Sequence, residues 1–184
     1  EVLSCAGEED RQRTKELLGT GYCSCGLMAD FIREGIETAD RVILQVNENM
    51  PRNFSLDTVI HVSEADRIVE YDDPLPVFPR TEITDVERKI GENCASLVED
   101  GSTIQIGIGS IPDAVCEALK GKKNLGVHSE LISDGIMDLY TSGAITNLEK
   151  SREKRTMIAV FLMGTQELYD FADGNRAITL RRAS

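Results

Sequence analysis

The sequence predicts an α/β fold in which a parallel sheet is covered by helices on both faces. Short apolar segments alternate with amphipathic segments of roughly ten residues throughout the second half of the chain. This alternation is typical of strand–helix–strand units, whose crossover helices cover the two faces of a sheet. The hydrophobic content of 41% in 184 residues is enough to form a substantial core.

The elements of this second half follow one another in a regular order. Residues 84–101, TDVERKIGENCASLVEDG, predict an amphipathic helix, and Pro112 opens another helix at a position where its missing amide costs little. The apolar face of the first helix carries Val86, Ile90, Cys94 and Leu97. We predict strands near 102–108, 124–129, 156–162 and 177–181, and further helices over 111–121, 133–142 and 165–174.

The first part of the chain predicts a shorter series of helices and strands. It predicts helices over 9–18 and about 27–38, and strands over 41–46, 57–62 and 67–69. Pro74, Pro76 and Pro79 then favour an extended linker, because proline removes amide donors and biases the preceding residue towards extended backbone. We therefore divide the chain into residues 1–73, a linker at 74–80, and residues 81–184.

Composition argues against several classes of function. The net charge of −12 opposes nucleic-acid binding, which depends on Lys and Arg neutralising phosphates. No apolar run approaches the roughly 20 residues of a membrane helix, and the first 18 residues do not resemble a signal peptide. Five irregularly spaced cysteines and two histidines do not predict a metal cluster. We expect reduced thiols, no metal and a cytoplasmic protein.

A glycine-containing segment, GIGSIPDA at 107–114, follows the first predicted strand of the second half. Gly107 and Gly109 allow a ligand to approach the backbone, and the amides of the next helix start favour a phosphate or an oxyanion. Pro112 stands where the dinucleotide-binding pattern has its third glycine, so that fingerprint is weak. A tight strand-to-helix turn explains the segment equally well.

The segment HSELISDG at 128–135 places a carboxylate where a buried strand ends. His128 and Glu130 are two residues apart on an extended segment and share a face. Ligands gather beyond the carboxyl ends of parallel strands, so we expect Glu130 to be desolvated and suited to act as a base or a nucleophile. A solvated loop glutamate or a helix cap explains the same residue, and the local sequence leaves these interpretations open.

Three segments, taken in order, resemble the acetyl-CoA hydrolase/transferase family, and within it CoA-transferases that act on 4-hydroxybutyrate or on butyryl-CoA and acetate. They are EDGSTIQIGIGSIPDAVCEAL, KKNLGVHSELISDGIMDLY and FLMGTQELYDFA. The likeness extends upstream through GYCSCG, Asn47, Met50-Pro51, IHVSEAD and Pro74-Leu75-Pro76, and covers about residues 19–176.

The resemblance implies a CoA-transferase that uses acyl-CoA and short-chain carboxylic acids as substrates and holds no permanent cofactor. It implies that Glu130 is the nucleophile, which carries the acyl group and then CoA as a glutamyl-CoA thioester. By the same resemblance, CoA contacts the residues Gln105, Ile106, Gly107, Ile108 and Gly109.

Members of this family have two related α/β lobes and are more than twice as long as this chain. The resemblance therefore implies that residues 1–73 are the end of the first lobe and residues 81–184 the first part of the second. Apolar surface that the rest of a lobe would cover predicts a homo-oligomer or association with a complementary segment. Ser110 stands where many relatives have Gly or Ala, and we expect only a modest effect on the turn.

Two alternatives to the transferase remain open at this point. In an acyl-CoA hydrolase, water would attack the glutamyl intermediate in place of a second acid. In a catalytically silent chain, the same fold would serve as a subunit or an interaction module. The short length favours a silent chain, whereas the intact GIGSIPDA and HSELISDG segments favour an enzyme.

Overall fold

The computed structural model describes residues 21–183, so the predicted helix over 9–18 lies outside the described residues. Two compact units are present. The first unit contains the described residues up to Pro76 together with those from Ala172 onward, and the second unit is Val77–Phe171. The division into two lobes at 74–80 remains a prediction about the longer family members.

The first unit joins a parallel and an antiparallel strand pair through a small core. Its elements begin with β1 (Tyr22–Ser24), α1 (Ile32–Thr38), β2 (Ile43–Val46), β3 (Val59–His61) and β4 (Arg67–Glu70). Strand β2 runs parallel to β4, and β1 runs antiparallel to β3. The core contains Cys23, Cys25, Ile32, Leu44, Val46 and Ile60. Helix α1 begins five residues later than the predicted position 27, because residues 26–27 and 30–31 form turns.

The second unit alternates strands and helices as the sequence predicts. Its elements are α2 (Asp85–Ser96), β5 (Thr103–Ile104), α3 (Ser110–Leu119), β6 (Gly126–Val127), β7 (Leu131–Ile132), α4 (Asp134–Thr141), β8 (Met157–Ala159), β9 (Phe161–Leu162) and α5 (Gln166–Ala172). Strand β10 (Ile178–Leu180) returns to the first unit. Among the helices of residues 21–183, none combines the length and the apolar character needed to cross a membrane.

The strand pairs of the second unit are parallel, which confirms the predicted α/β fold class. Ile104 of β5 lies opposite Val127 of β6, His128 forms a parallel bridge with Ile158, and β7 pairs in parallel with β9. The carboxyl ends of these strands therefore meet at one edge of the sheet. Fully buried side chains hold the layers together: Leu119, Leu125, Val127, Ile132, Ile136, Leu139, Met157 and Leu168.

The strands of this sheet are shorter than predicted because the chain bends at Glu130. The amides of Val160 and Phe161 both donate to the carbonyl oxygen of Glu130, at 2.8 and 3.2 Å. Two residues thus oppose one, an arrangement that interrupts a ladder and bends the strand. The predicted strand 156–162 is accordingly divided into β8 and β9, and the predicted strand 124–129 ends before β7 begins.

Helix α2 buries a different face from the one the sequence predicts. It packs against α3 through its small residues Gly91 and Ala95, which are buried, and a Cβ added to Gly91 would collide with the carbonyl group of Ala114. The predicted apolar face is exposed, with Val86 at 68% and Leu97 at 85%. Close approach of two helix backbones requires small residues at the contact, and this requirement outweighs the apolar periodicity.

The cysteines also differ from expectation. Cys23 is disulfide-bonded, so the expectation of reduced thiols is wrong for this residue. Cys25 and Cys116 are buried free thiols, and Cys94 is an exposed one. Burial raises the pKa of Cys116 to about 12, so this thiol is protonated at neutral pH and has no nucleophilic role.

Candidate active site

The backbone around Glu130 is fixed on both sides. On one side, the amide of His128 donates to the carbonyl of Ile104 at 3.1 Å, at the end of β5. On the other side, the amide of Ser129 donates to Ile158 at 2.9 Å, and the carbonyl of Glu130 accepts the two amides that follow β8. Glu130 therefore sits on a bend between β6 and β7 that backbone hydrogen bonds fix on both sides.

Ser129 joins this bend to the segment 105–109. Its hydroxyl donates to the carbonyl oxygen of Ile106 at 3.0 Å and accepts from the Ile106 amide at 3.3 Å. Ser129 is only 6% exposed, so water competes little for these bonds. Ser129, the residue before the predicted nucleophile Glu130, is therefore hydrogen-bonded directly to the predicted CoA-contacting segment.

The candidate site residues are accessible from solvent. Gln105, Gly107, His128 and Glu130 are exposed, Ile108 is 45% exposed, and Ile106 and Gly109 are partly buried. The expectation of a desolvated Glu130 is therefore wrong for this chain, because the bend turns the side chain outward. A ligand or a further protein surface has to remove water from this carboxylate.

A hydrogen bond between side chains, which the sequence did not predict, holds the start of α3 against α2. Glu87 closes the capping box of α2 with Thr84, and its carboxylate also accepts a hydrogen bond from the Ser110 hydroxyl. The bonds from Ser110 and Thr84 lower the pKa of Glu87 to about 2, so Glu87 is ionised throughout the physiological pH range. Ser110, which we expected to have only a modest effect on the turn, thus holds the start of α3 against α2 through this hydrogen bond.

Gly109 is the position in this turn that requires glycine. Its φ of 122° lies in a region that L-residues rarely adopt, although a Cβ there would meet no atom within 4 Å. We expect Gly109→Ala to lower the free energy of unfolding by about 1–3 kcal/mol through backbone strain alone. The matched control is Gly107→Ala, whose Cβ would only touch the Pro112 ring at 3.8 Å. Equal urea midpoints for the two variants would contradict the assigned backbone strain.

Asp134 connects the segment that carries Glu130 with the segment FLMGTQEL. Asp134 is 8% exposed, and its carboxylate accepts hydrogen bonds from the Thr165 hydroxyl and from the Thr165 amide, the latter at 3.0 Å. Arg80 reaches the same carboxylate at 3.7 Å. A Cβ added to Gly164 would collide with Asp134, so the glycine is needed for this close approach. An aspartate followed by a glycine is common in turns, so the sequence pattern alone does not mark this contact.

Two side chains from the loop after α4 form hydrogen bonds with the backbone of Val127 in β6, bonds that a neighbouring strand would otherwise supply. The Asn147 side-chain oxygen accepts from the Val127 amide at 2.9 Å, and the Lys150 ammonium donates to the Val127 and Thr156 carbonyls, each at 2.8 Å. Lys150 is 2% exposed, and burial lowers its pKa. Sequence reasoning missed both residues, since an isolated Lys or Asn in a polar loop carries no periodic signal.

The described residues offer no arrangement suited to a metal. Within residues 21–183, no three His, Cys, Asp or Glu side chains are grouped so that they could hold a metal ion. The accessible groups at the sheet edge are instead a carboxylate, a glycine-containing segment and the amides at the start of α3. This arrangement suits covalent chemistry on a carbonyl group and binding of a negatively charged group.

Comparison with known proteins shows what this chain is similar to. Residues 13–79 match the acetyl-CoA hydrolase/transferase N-terminal domain. The 4-hydroxybutyrate coenzyme A transferase of Clostridium kluyveri is 52% identical over 155 residues, which are 84% of this chain and 36% of that protein. The predicted resemblance to the acetyl-CoA hydrolase/transferase family is confirmed. A succinyl-CoA:cyclohexane-1-carboxylate CoA transferase of Geobacter metallireducens is 44% identical over 160 residues, 87% of this chain and 36% of that protein.

Solved structures agree with this family and with the fold. A crystal structure of a 4-hydroxybutyrate CoA-transferase from Porphyromonas gingivalis matches with a TM-score of 0.87 at 36% identity. The match covers 98% of this chain and 43% of that chain. The chain thus spans little more than a third of the curated relatives described above, and less than half of this structural relative.

Proposed function

We propose that this chain carries the covalent centre of a CoA-transferase, which moves CoA between an acyl-CoA and a short-chain carboxylate of the 4-hydroxybutyrate, butyrate or acetate type. One observation carries the proposal. Glu130 lies on a fixed bend between strands β6 and β7 of a parallel sheet, and its neighbour Ser129 is hydrogen-bonded to the segment 105–109. A fixed, accessible carboxylate beside a glycine-containing segment suits attack on a thioester bound along that segment.

In the proposed mechanism, Glu130 acts as the nucleophile. Its carboxylate oxygen attacks the acyl-CoA carbonyl, and collapse of the tetrahedral oxyanion expels the CoA thiolate and leaves an acyl–glutamyl anhydride. The thiolate then attacks the glutamyl carbonyl, which gives a glutamyl-CoA thioester and releases the first carboxylic acid as its anion. A second carboxylate takes the CoA by the reverse steps, and Glu130 is regenerated with no net proton transfer.

The surroundings of Glu130 supply part of what this mechanism needs. A hydrated carboxylate is a weak nucleophile and needs activation by its site. The first amides of α3, near Ser110 and Ile111, are suitable donors for the tetrahedral oxyanion, because the first turn of a helix leaves amides without intrahelical partners. Loss of one such donor typically costs about 100- to 1,000-fold in rate. The bound acyl-CoA itself would exclude water from Glu130.

A two-arm assay tests this function. Butyryl-CoA is incubated with the chain in the presence and in the absence of acetate, and CoA species are separated by chromatography. A transferase forms acetyl-CoA only in the arm with acetate and releases little free CoA in the other arm. Accumulation of free CoA without acetate would instead identify the hydrolase.

A silent chain is the candidate from a different class. Its accessible Glu130 would then be an unused remnant, and the chain would act as a subunit or an interaction module. Calorimetric titration with CoA distinguishes this case, because a silent module shows no specific affinity for CoA. Binding that Glu130→Gln leaves intact, combined with turnover that it removes, would support the enzyme.

We further propose that the chain associates with another protein surface, as a homo-oligomer or with a complementary segment. The exposed apolar face of α2, formed by Val86, Ile90 and Leu97, favours this association. We expect sedimentation velocity at micromolar concentration to show a species larger than a monomer, and Val86→Lys with Leu97→Lys to reduce its size. A strictly monomeric wild type would contradict the proposal. We also propose a cytoplasmic location for the chain. Its small-molecule partners in this proposal are acyl-CoA and short-chain carboxylic acids.

A further inference from the structure

Lys150 is a buried cation that the proposed mechanism does not use. It is 2% exposed, and its ammonium group donates to the main-chain carbonyls of Val127 and Thr156, each at 2.8 Å. Burial lowers its pKa, against the opposing effect of Glu153. Burying an ammonium group is costly, whereas a methionine of similar length would fill the same space without a charge. The role of this lysine therefore lies in its two hydrogen bonds.

These two hydrogen bonds connect two neighbouring strands of the sheet. Val127 is the last residue of β6, and Thr156 immediately precedes β8. The next contact along the two strands is direct, because His128 and Ile158 form a parallel bridge. The ammonium group of Lys150 thus joins the strands at the point where their direct pairing begins.

The same pairing leads to Glu130. After the bridge, the Ser129 amide donates to the Ile158 carbonyl at 2.9 Å, and the Glu130 carbonyl accepts the amides of Val160 and Phe161. The ammonium group therefore stands at the beginning of a short run of contacts that ends at the bend. Because successive side chains of a strand point to opposite faces, a slip of one residue in this pairing would turn the Glu130 side chain to the other face.

The residues around Lys150 hold it in this position. Gly126 lets the lysine stem lie close to β6, because a Cβ at Gly126 would collide with the Lys150 side chain. The side-chain oxygen of Asn147, which is fully buried, accepts a hydrogen bond from the Val127 amide at 2.9 Å. The main-chain carbonyl of Asn147 accepts the Arg155 amide at 2.9 Å, which closes the loop that carries Lys150. Both the amide and the carbonyl of Val127 are thus bonded to this one loop.

We propose that Lys150 is a positioning residue for Glu130, and that it acts by fixing the register of β6 against β8 and thereby the bend. The proposal rests on the proposed transfer of CoA and adds a residue that acts on the nucleophile through the main chain. The ammonium group is engaged by the two carbonyls and takes no part in the chemistry. Its loss should displace Glu130 and leave the segment 105–109, along which CoA is proposed to bind, in place.

Amide hydrogen exchange, followed by NMR on the whole chain, tests this role directly. The amides of Val160 and Phe161 report on the bend, because both donate to the Glu130 carbonyl. The Met137 amide donates to the Ser133 carbonyl at the start of α4 and reports on the rest of the unit. These amides thus separate a local change at the bend from a loss of stability throughout the unit.

Two variants are compared by this measurement. Lys150→Met removes the ammonium group and keeps an unbranched stem. Leu119→Ala is the matched control, because it shortens a fully buried side chain of α3 and removes neither hydrogen bond of Lys150. In Lys150→Met, we expect the amides of Val160 and Phe161 to exchange roughly tenfold or more faster, as is typical when a hydrogen bond to a charged group is lost, and the Met137 amide to change within about threefold. In Leu119→Ala, all of these amides should accelerate by a similar factor.

Covalent labelling connects this change with the proposed reaction. At saturating acyl-CoA, Lys150→Met should label Glu130 about 10- to 100-fold more slowly than the wild type, because misplacement of a reacting group by about 1 Å can cost about 100-fold. Its affinity for CoA, measured by calorimetry, should stay within about twofold, since the variant changes the reacting geometry and not the binding surface.

Lys150→Ala permits a rescue experiment, because the side-chain atoms that it removes correspond to propylamine. Propylammonium should restore slow exchange of the Val160 and Phe161 amides and restore labelling of Glu130. Tetramethylammonium carries the same charge but has no N–H group to donate, so it should restore neither. The rescue also decides the matter if Lys150→Met does not fold. Propylammonium that protects the Met137 amide as strongly as the amides at the bend would show a general effect on stability and overturn the positioning role.

The outcomes separate this proposal from the proposed function. Uniform acceleration of the amides of Val160, Phe161 and Met137 in Lys150→Met would overturn the positioning role. Selective acceleration at the bend with undiminished labelling of Glu130 would overturn it as well, because the register would then not matter to the nucleophile. If the wild type is not labelled while Lys150→Met still loosens the bend selectively, the transferase proposal fails and the role of Lys150 in holding Glu130 stands.

Discussion

Replacing Glu130 with Gln is expected to abolish covalent labelling and CoA transfer while leaving the fold intact. The amide keeps the shape of the side chain but cannot attack a thioester. Because the Glu130 side chain is exposed and the bend is fixed by backbone bonds, the substitution removes no structural contact among those described above. Labelling is measured with acyl-CoA that carries the radiolabel in its CoA moiety, and folding by urea denaturation, where we expect an unchanged midpoint.

Glu130→Asp separates position from charge. The aspartate keeps the carboxylate but retracts it by one methylene, and misplacement by about 1 Å can cost about 100-fold in rate. Glu70→Gln is the matched control, because Glu70 is exposed and lies outside the three family segments. Undiminished labelling in Glu130→Gln, or loss of labelling in Glu70→Gln, would show that the carboxylate at the bend has no covalent role.

Asp134→Ala is expected to cause the largest loss of stability, about 2–4 kcal/mol. The substitution leaves the half-buried amide and hydroxyl of Thr165 without their acceptor and removes a negative charge near Arg80. A buried donor without a partner typically costs about 1–3 kcal/mol. Urea unfolding followed by far-UV circular dichroism measures the change.

Asp138→Ala is the control for this substitution. Asp138 also pairs with Arg80, at 2.7 Å, but both side chains are partly exposed. Ion pairs of this kind are typically worth about 0–1 kcal/mol. If the two variants lost similar stability, the effect would come from the charge around Arg80 and not from the bonds between Asp134 and Thr165.

The sequence predicted the order of elements in the second unit because that information is local. Alternating apolar and amphipathic segments specify strands and helices, and Pro112 with Thr84 marks helix starts. The parallel sheet then follows from the crossover connections, and it brings the ends of β5 and β6 to one edge. The proximity of Glu130 to the segment 105–109 was predictable for that reason.

Contacts between distant residues were not predictable from local patterns. The bend at Glu130 depends on two amides some thirty residues away, at Val160 and Phe161, and it exposes a carboxylate that the apolar sequence context had suggested was buried. The face that α2 buries depends on how closely α3 approaches Gly91. Neither contact changes the periodicity of the residues that make it.

The roles of single polar residues were hidden for a related reason. Lys150 and Asn147 satisfy the backbone of Val127, and Asp134 accepts from Thr165, but each of these residue types is ordinary in a loop or turn. Their function appears only when the buried partner is known. The resemblance to the family identified Glu130, whereas the polar contacts that position its strand required the structure.

Direct observation of the glutamyl-CoA thioester tests the central claim. The chain is incubated with butyryl-CoA, treated with borohydride, which reduces a thioester at the γ-carboxyl to an alcohol, and digested for peptide mass spectrometry. We expect the corresponding mass loss at Glu130 alone, dependent on acyl-CoA and absent from Glu130→Gln. An unmodified Glu130 peptide under conditions in which acetyl-CoA is formed from butyryl-CoA and acetate would contradict the covalent role of this residue.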